Sequence, residues 1–454
     1  MIRFRPEMTI RFTFRLALIL LWSAGLAGFD QPSVKRSAIE RSGRGWVQRL
    51  ECAAPVREGG KLVLRAHFGS VEVKTGASDR MECKVAVRAY MGNETRARRY
   101  LEEYDLTVRP LENGGVYVSG KGPDEDRGNS HLGAEFEITV PARFNLDLET
   151  AGGNINLRDS VQGEARLTTA GGDLRTADVS GALRAETAGG SISLGNIGQR
   201  LDARTAGGSI RVGNAKGEAI LETSGGEIAI DRADSTLRAE TAGGDVVVGS
   251  AGGQVVAQTA GGQIRIGPTG GSVRAETAGG SIWLQAARGR VDVETAGGSI
   301  DLFQVQGAVR ATTAAGRILA QINCNRQTFG ASQLETSMGD VQVYLPPDLP
   351  LTIDAAIEMA AGHRIVSDFP LEIKGDQEEF VEGEIRGHGA LNGGGETLRI
   401  RTVNGNIEIR KLDAQTIEKL KERQDTDWGQ SERRRVEKEQ RRREQEEERR
   451  REKE

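Results

Sequence analysis

Sixty glycines among 454 residues, with aromatic side chains at only 4%, exclude an ordinary compact domain built around large apolar side chains. A net charge of -4 argues against general nucleic-acid binding. The glycines follow no collagen triplet, which leaves tight turns between short strands as their use.

The first residues read as an export signal over 1–27. Arg3, Arg5, Arg11 and Arg15 precede the apolar run from Leu16 to Ala27, and Gly25-Leu26-Ala27 supplies the small residues a signal peptidase needs. An uncleaved anchor is the alternative, although Arg11 and Arg15 keep the run shorter than the roughly 20 residues of a spanning helix. No cysteine directly follows the run, which argues against a lipoprotein anchor. Residues 28–45 are polar and read as a flexible lead-in.

Residues 46–143 predict a β-rich region with one helix. Leu62, Leu64 and Ala66, then Val71 and Val73, then Cys83, Val85 and Val87 alternate as short strands do. Ala97, Tyr100, Leu101 and Tyr104 have helical spacing, and Asn93 of Asn93-Glu94-Thr95 serves as the N-cap in preference to a glycosylation acceptor. Cys52 and Cys83 either pair in an oxidising compartment or remain, with Cys324, buried free thiols.

Residues 144–345 form a repeat. Thr150-Ala151-Gly152-Gly153 returns at Thr169, Thr187, Thr205, Thr223, Thr241, Thr259, Thr277, Thr295 and Thr313, with one step of 19 residues and then steps of 18. Such a period marks an array in which each unit buries its apolar face against its neighbours. Five residues after each threonine stand Ile155, Leu174, Ile192, Ile210 and their equivalents; four before it stand Leu183, Leu201, Leu237 and Val255, and two before it mostly alanine. Two-residue alternation turns these positions inward together with the threonine. Each coil therefore holds two short strands separated by glycine-marked turns, and the fold predicted is an all-β, parallel β-helix-like solenoid. The pairs Gly152-Gly153, Gly189-Gly190, Gly207-Gly208, Gly243-Gly244, Gly279-Gly280 and Gly297-Gly298 read as structural corners that permit positive φ and close backbone approach. Some ten coils at about 4.8 Å each would make a rod of about 50 Å.

The outward columns carry charge. Three coils read Arg then Glu (Arg184 and Glu186, Arg238 and Glu240, Arg274 and Glu276), and one reverses the order with Asp202 and Arg204. Stacking equivalent positions brings Glu186 beside Arg204 and Arg184 beside Asp202, so the swap favours parallel stacking and predicts a register pair. Residues 346–411 read as further strands and a cap, with a late echo at Thr402-Val403-Asn404-Gly405. The tail, 412–454, is mostly Arg, Lys, Glu and Gln without a heptad seam, and is either a solvated helix or disordered.

No constellation for catalysis, a metal or a cofactor emerges. His67, His131, His363 and His388 are widely spread, and neither a Gly-x-Ser-x-Gly elbow nor a phosphate loop occurs. The calcium-binding nonapeptide needs a third glycine and an aspartate, where Gly189-Gly190-Ser191-Ile192 has an isoleucine. The glutamate column suits a solvated strand surface better than the paired acids of a glycosidase.

Phe68-Gly69-Ser70-Val71-Glu72-Val73, Ile138-Thr139-Val140-Pro141 leading into Leu146-Asp147-Leu148-Glu149-Thr150, the repeats, and the closing stretch Leu398 to Ile409 together carry a resemblance. From about Leu62 to Arg410 the chain resembles the bacterial "putative adhesin" family of secreted β-strand-repeat domains, a family of unknown function. The resemblance implies a β-solenoid and transfers no functional residue. The expected function is a non-enzymatic, exported surface or envelope interaction module, with a cell-envelope glycan or protein as partner. An envelope-stress or regulatory scaffold is the alternative, and a carbohydrate-active enzyme a more distant one.

Overall fold

A computed structural model describes residues 31–43, 45–77, 79–123, 131–375 and 383–426, with 429 and 441. The expected signal over 1–27 and most of the charged tail lie outside the described residues. The chain is mostly β, arranged as two long, largely parallel sheets. The strand that ends at each repeat threonine enters one sheet, and the strand that follows the glycine pair enters the other. Leu183–Thr187 pairs in parallel with Leu201–Thr205, and Ile192–Leu194 pairs with Ile210–Ala215. A short third side adds to the two expected: Val161, Val179, Ile197 and Ala215 form a buried column of parallel bridges.

The interior follows from the alternation. Ile192, Leu201, Ile210, Leu221 and Ile228 are nearly or fully inaccessible, each worth about 1.5–3 kcal/mol by burial. The threonines face inward as well, where a lone hydroxyl would be costly. From Thr169 to Thr295 each is satisfied twice. Thr241 Oγ1 donates to the Gly226 carbonyl of the preceding coil at 2.8 Å and accepts the Gly244 N–H of its own coil at 3.2 Å. The same donation to the coil before recurs from Thr150 to Thr336 and again at Thr402.

The paired glycines divide the labour. A Cβ built on the second glycine would overlap the carbonyl of the equivalent glycine one coil earlier, as at Gly190, Gly208, Gly244, Gly280 and Gly298. The first glycine faces open space or ordinary contact; at Gly243 the nearest atom is 3.5 Å away. The positive φ expected of these corners is not used. Positive φ occurs away from the corners at Gly59, Gly114 and Gly393, and at the ends of the array at Gly69 and Gly339, whereas the paired repeat glycines serve close stacking.

Both ends depart from sequence order. Lys61–Ala66 and Ser70–Gly76 pair on one side with Asn145–Thr150 and Ile155–Leu157, and on the other with the later strands Val116–Lys121 and Leu132–Pro141. At the far end, Thr397–Asn404 and Ile407–Lys411 slot between two earlier layers: Ser332–Met338 with Val341–Leu345, and Leu351–Ile357 with Ile365–Ser367. The stretches 46–143 and 346–411 thus contribute in-register coils to the same stack as 144–345.

Antiparallel strands finish each end. Asp105–Pro110 covers one sheet, and Arg80–Ala89 followed by Gly45–Pro55 covers the other. Ile385–Leu391 and then Glu372–Lys374 close the C-terminal side. Their outermost strands are short, charged or proline-ended, which discourages further pairing.

Helix Glu94–Glu102 begins where expected, with Asn93 Oδ1 accepting the Arg96 N–H at 3.0 Å. The start of the charged tail is also ordered. Asp413 caps a helix over 414–426 by accepting the Thr416 N–H at 2.8 Å. That bond holds the Asp413 carboxyl below the usual carboxylate range. Leu412 and Leu420 cover Trp283, Phe303 and Leu319, which point outward from the second sheet. Gln424 Nε2 donates to the Gln285 carbonyl at 2.8 Å.

Candidate interaction surfaces

Of the residues singled out in the sequence, Cys52 and Cys83 face each other across antiparallel strands and form a disulfide with a Cα–Cα distance of 4.9 Å. This suits an oxidising compartment. Cys324 stays buried and free, and burial pushes its thiol up to about 11. The described residues contain no group of three or more His, Cys, Asp or Glu placed to hold a metal ion.

The outer face of the first sheet is charged but largely self-neutralised. Arg184 pairs with Glu186 at 2.5 Å and Arg274 with Glu276 at 2.5 Å, and Arg238 pairs with Glu240. Arg184 stands opposite Asp202, and Glu186 opposite Arg204. The nearest ion pair of the swapped coil runs along its own strand, Arg204 Nε to Asp202 at 2.8 Å, with Glu222 of the next coil 3.5 Å away. Exchanging the two (Asp202→Arg with Arg204→Asp) preserves the pair within the strand but sets like charges beside Arg184, Glu186 and Glu222. The expected result is a loss of about 1 kcal/mol, read as a lower melting temperature. An unchanged melting temperature would remove the register role.

Among the described residues, the carboxylates that are shifted are shifted down. A hydrogen bond from Lys74 lowers Glu137, and one from Arg386 lowers Glu384. Burial would raise Asp147 and Asp354, but bonds from Lys61 and Arg65 to the first and from Arg401 to the second outweigh it.

The second sheet has a more varied outer face. Over the C-terminal coils the helix over 414–426 occupies it. Near the N-terminal end it sinks into a groove of about 590 Å³, where parallel coils give way to antiparallel strands. One row of outward side chains crosses it, directly opposite on successive strands: Glu51, Lys84, Glu137, Glu72, Asn156 and Arg175. Short side chains, Ser70 and Ala86, lie in the next row beside Glu135, which opens the depression.

Several charges in the groove are spent on each other. Lys74 bridges Glu72 at 3.0 Å and Glu137 at 2.5 Å, and Arg175 holds Asp173 at 3.1 Å. Among the described residues, Glu51, Lys84 and Asn156 make no side-chain hydrogen bond or ion pair. Tyr90 lies outside the groove's lining, 60% exposed, with its ring over Gly133, two residues along the strand from Glu135, which Arg88 holds at 2.5 Å. Sequence reasoning missed this surface, because its residues come from strands far apart in the chain and form no motif.

No protein-family model matches the chain, and no curated protein matches it. Among solved structures, one described as a putative cell adhesion protein from Clostridium sporogenes is similar at 11% identity over 84% of this chain and 100% of that one, with a TM-score of 0.15. A likeness of this size is too weak to carry fold or function.

Proposed function

We propose that the chain is a non-enzymatic, exported β-solenoid that acts as a surface or envelope interaction module. The observation that carries this reading is the long parallel stack, whose first sheet presents a repeated outer face suited to repeated weak contacts. The Cys52–Cys83 disulfide supports a site of action in the periplasm, on the cell surface or in the medium, consistent with the export signal read over 1–27. Carboxylates lowered by basic neighbours favour a binding role over that of a carbohydrate-active enzyme.

A second reading, a regulatory or envelope-stress scaffold, draws on the docked helix over 414–426, which fixes where the charged tail leaves the rod. Fractionation with protease accessibility, followed by capture of the tagged full chain on isolated envelopes, tests both. Envelope capture independent of residues 412–454 supports the first reading. Capture of one defined protein that requires the tail supports the second, and hydrolysis of an envelope polysaccharide would overturn both.

A further inference from the structure

We infer that the groove on the second sheet is a binding site for an uncharged oligosaccharide, with Tyr90 as the stacking platform and Lys84, Asn156 and Glu51 as hydrogen-bonding groups for its hydroxyls. The inference rests on the interaction-module reading and names the chemistry of its ligand.

Charge selects the ligand class first. The groove sets Arg49, Lys84 and Arg175 among Glu51, Glu72, Glu135, Glu137 and Asp173, and Lys74 and Arg88 pair with Glu72, Glu137 and Glu135 from its rim, so a polyanion and a polycation each meet several like charges. A neutral, hydroxyl-rich molecule meets donors and acceptors of both kinds. The groups with unspent capacity are an ammonium, a carboxamide and a carboxylate. Their arrangement has the reach of an oligomer: Lys84 and Asn156 are separated by three strand spacings, about 14 Å.

Tyr90 supplies what the row lacks. A pyranose ring has an apolar face of C–H groups, which packs on an exposed aromatic ring. Gly133 leaves room for the Tyr90 ring to lie against the strand, where a Cβ would come within 2.9 Å of it. The ring thereby turns its other side to solvent, about 7 Å along the strand from Glu135. Elsewhere on this sheet the outward aromatics Trp283 and Phe303 are covered by Leu412 and Leu420.

The test is titration calorimetry of the full chain with β-1,4- and α-1,4-linked tetrasaccharides of glucose and with the β-1,4-linked tetrasaccharide of N-acetylglucosamine. At least one is expected to bind. Tyr90→Ala and Asn156→Ala should each weaken it about tenfold without moving the melting temperature, and Asp292→Ala on the other sheet should have no effect. No binding up to about 10 mM, or binding that survives both groove substitutions, overturns the assignment. Envelope capture is run in parallel with the same proteins. Capture that persists in the groove variants overturns the groove as the contact and leaves the interaction-module reading standing, whereas failure of the unaltered chain to be captured overturns that reading.

Discussion

Gly244→Ala should lower stability by more than about 3 kcal/mol, while Gly243→Ala should stay within about 1 kcal/mol of the unaltered chain. The two residues are neighbours in one repeated motif, so the contrast isolates their geometry. A Cβ at Gly244 overlaps the Gly226 carbonyl, a backbone atom held by the sheet on both sides, and only a wider coil spacing would relieve it. Widening would also break the Thr241 bridge. At Gly243 the added methyl meets nothing closer than 3.5 Å, and alanine restricts the unfolded chain more than glycine does.

The repeats have already varied the first glycine. Ala315, Met338 and Asn404 occupy its place, whereas Gly316, Gly339 and Gly405 keep the second. Chemical denaturation of both variants is the measurement, and equal losses at the two positions would refute this account.

Ending the chain at residue 396 should abolish the cooperative transition of the C-terminal coils, and ending it at 411 should leave it in place. The shorter chain lacks the layer formed by Thr397–Asn404 and Ile407–Lys411, whose neighbours on both sides then face a gap with unpaired backbone groups. It also loses Arg401, whose Nη2 bonds Asp354 across the layers at 2.6 Å. Poor solubility is expected to accompany the exposed edges. The longer chain keeps every layer and loses Leu412, the helix over 414–426 and the charged tail. Circular dichroism melts and native-state hydrogen exchange distinguish the outcomes, and a normal transition in the shorter chain would contradict the role of the inserted layer.

Much of this architecture was legible in the residues. The 18-residue step, the isoleucine and leucine columns and the inward threonines depend on local alternation, which a sequence states directly. The reversal at Asp202 and Arg204 pointed to parallel neighbours, although the closest ion pair runs along the strand. Other features depend on what lies beside a residue in space. Gly243 and Gly244 look equivalent in a motif, and only the spacing of coils separates their roles. Trp283, Phe303 and Leu319 look like variation in an outward column until Leu412 and Leu420 are laid over them. The insertion of 397–411 between earlier layers leaves no local trace, because each strand alternates as it would in any order. Glu51, Lys84 and Asn156 are likewise unremarkable alone and become a candidate site only when their strands adjoin.

The out-of-order layers bear on how the rod responds to tension. In a simple coil stack the first and last layers are also the ends of the chain, and a pull on either terminus peels one edge at a time. Here the last strands before the tail are clamped on both faces, so force applied through the C-terminus must shear two sets of parallel hydrogen bonds at once. Lys61–Ala66 and Ser70–Gly76 are gripped in the same way near the N-terminus, where the Cys52–Cys83 bond adds a covalent stop. Resistance to forced unfolding is set by the barrier to the first rupture. A chain laid out this way is suited to carrying load between two attachment points.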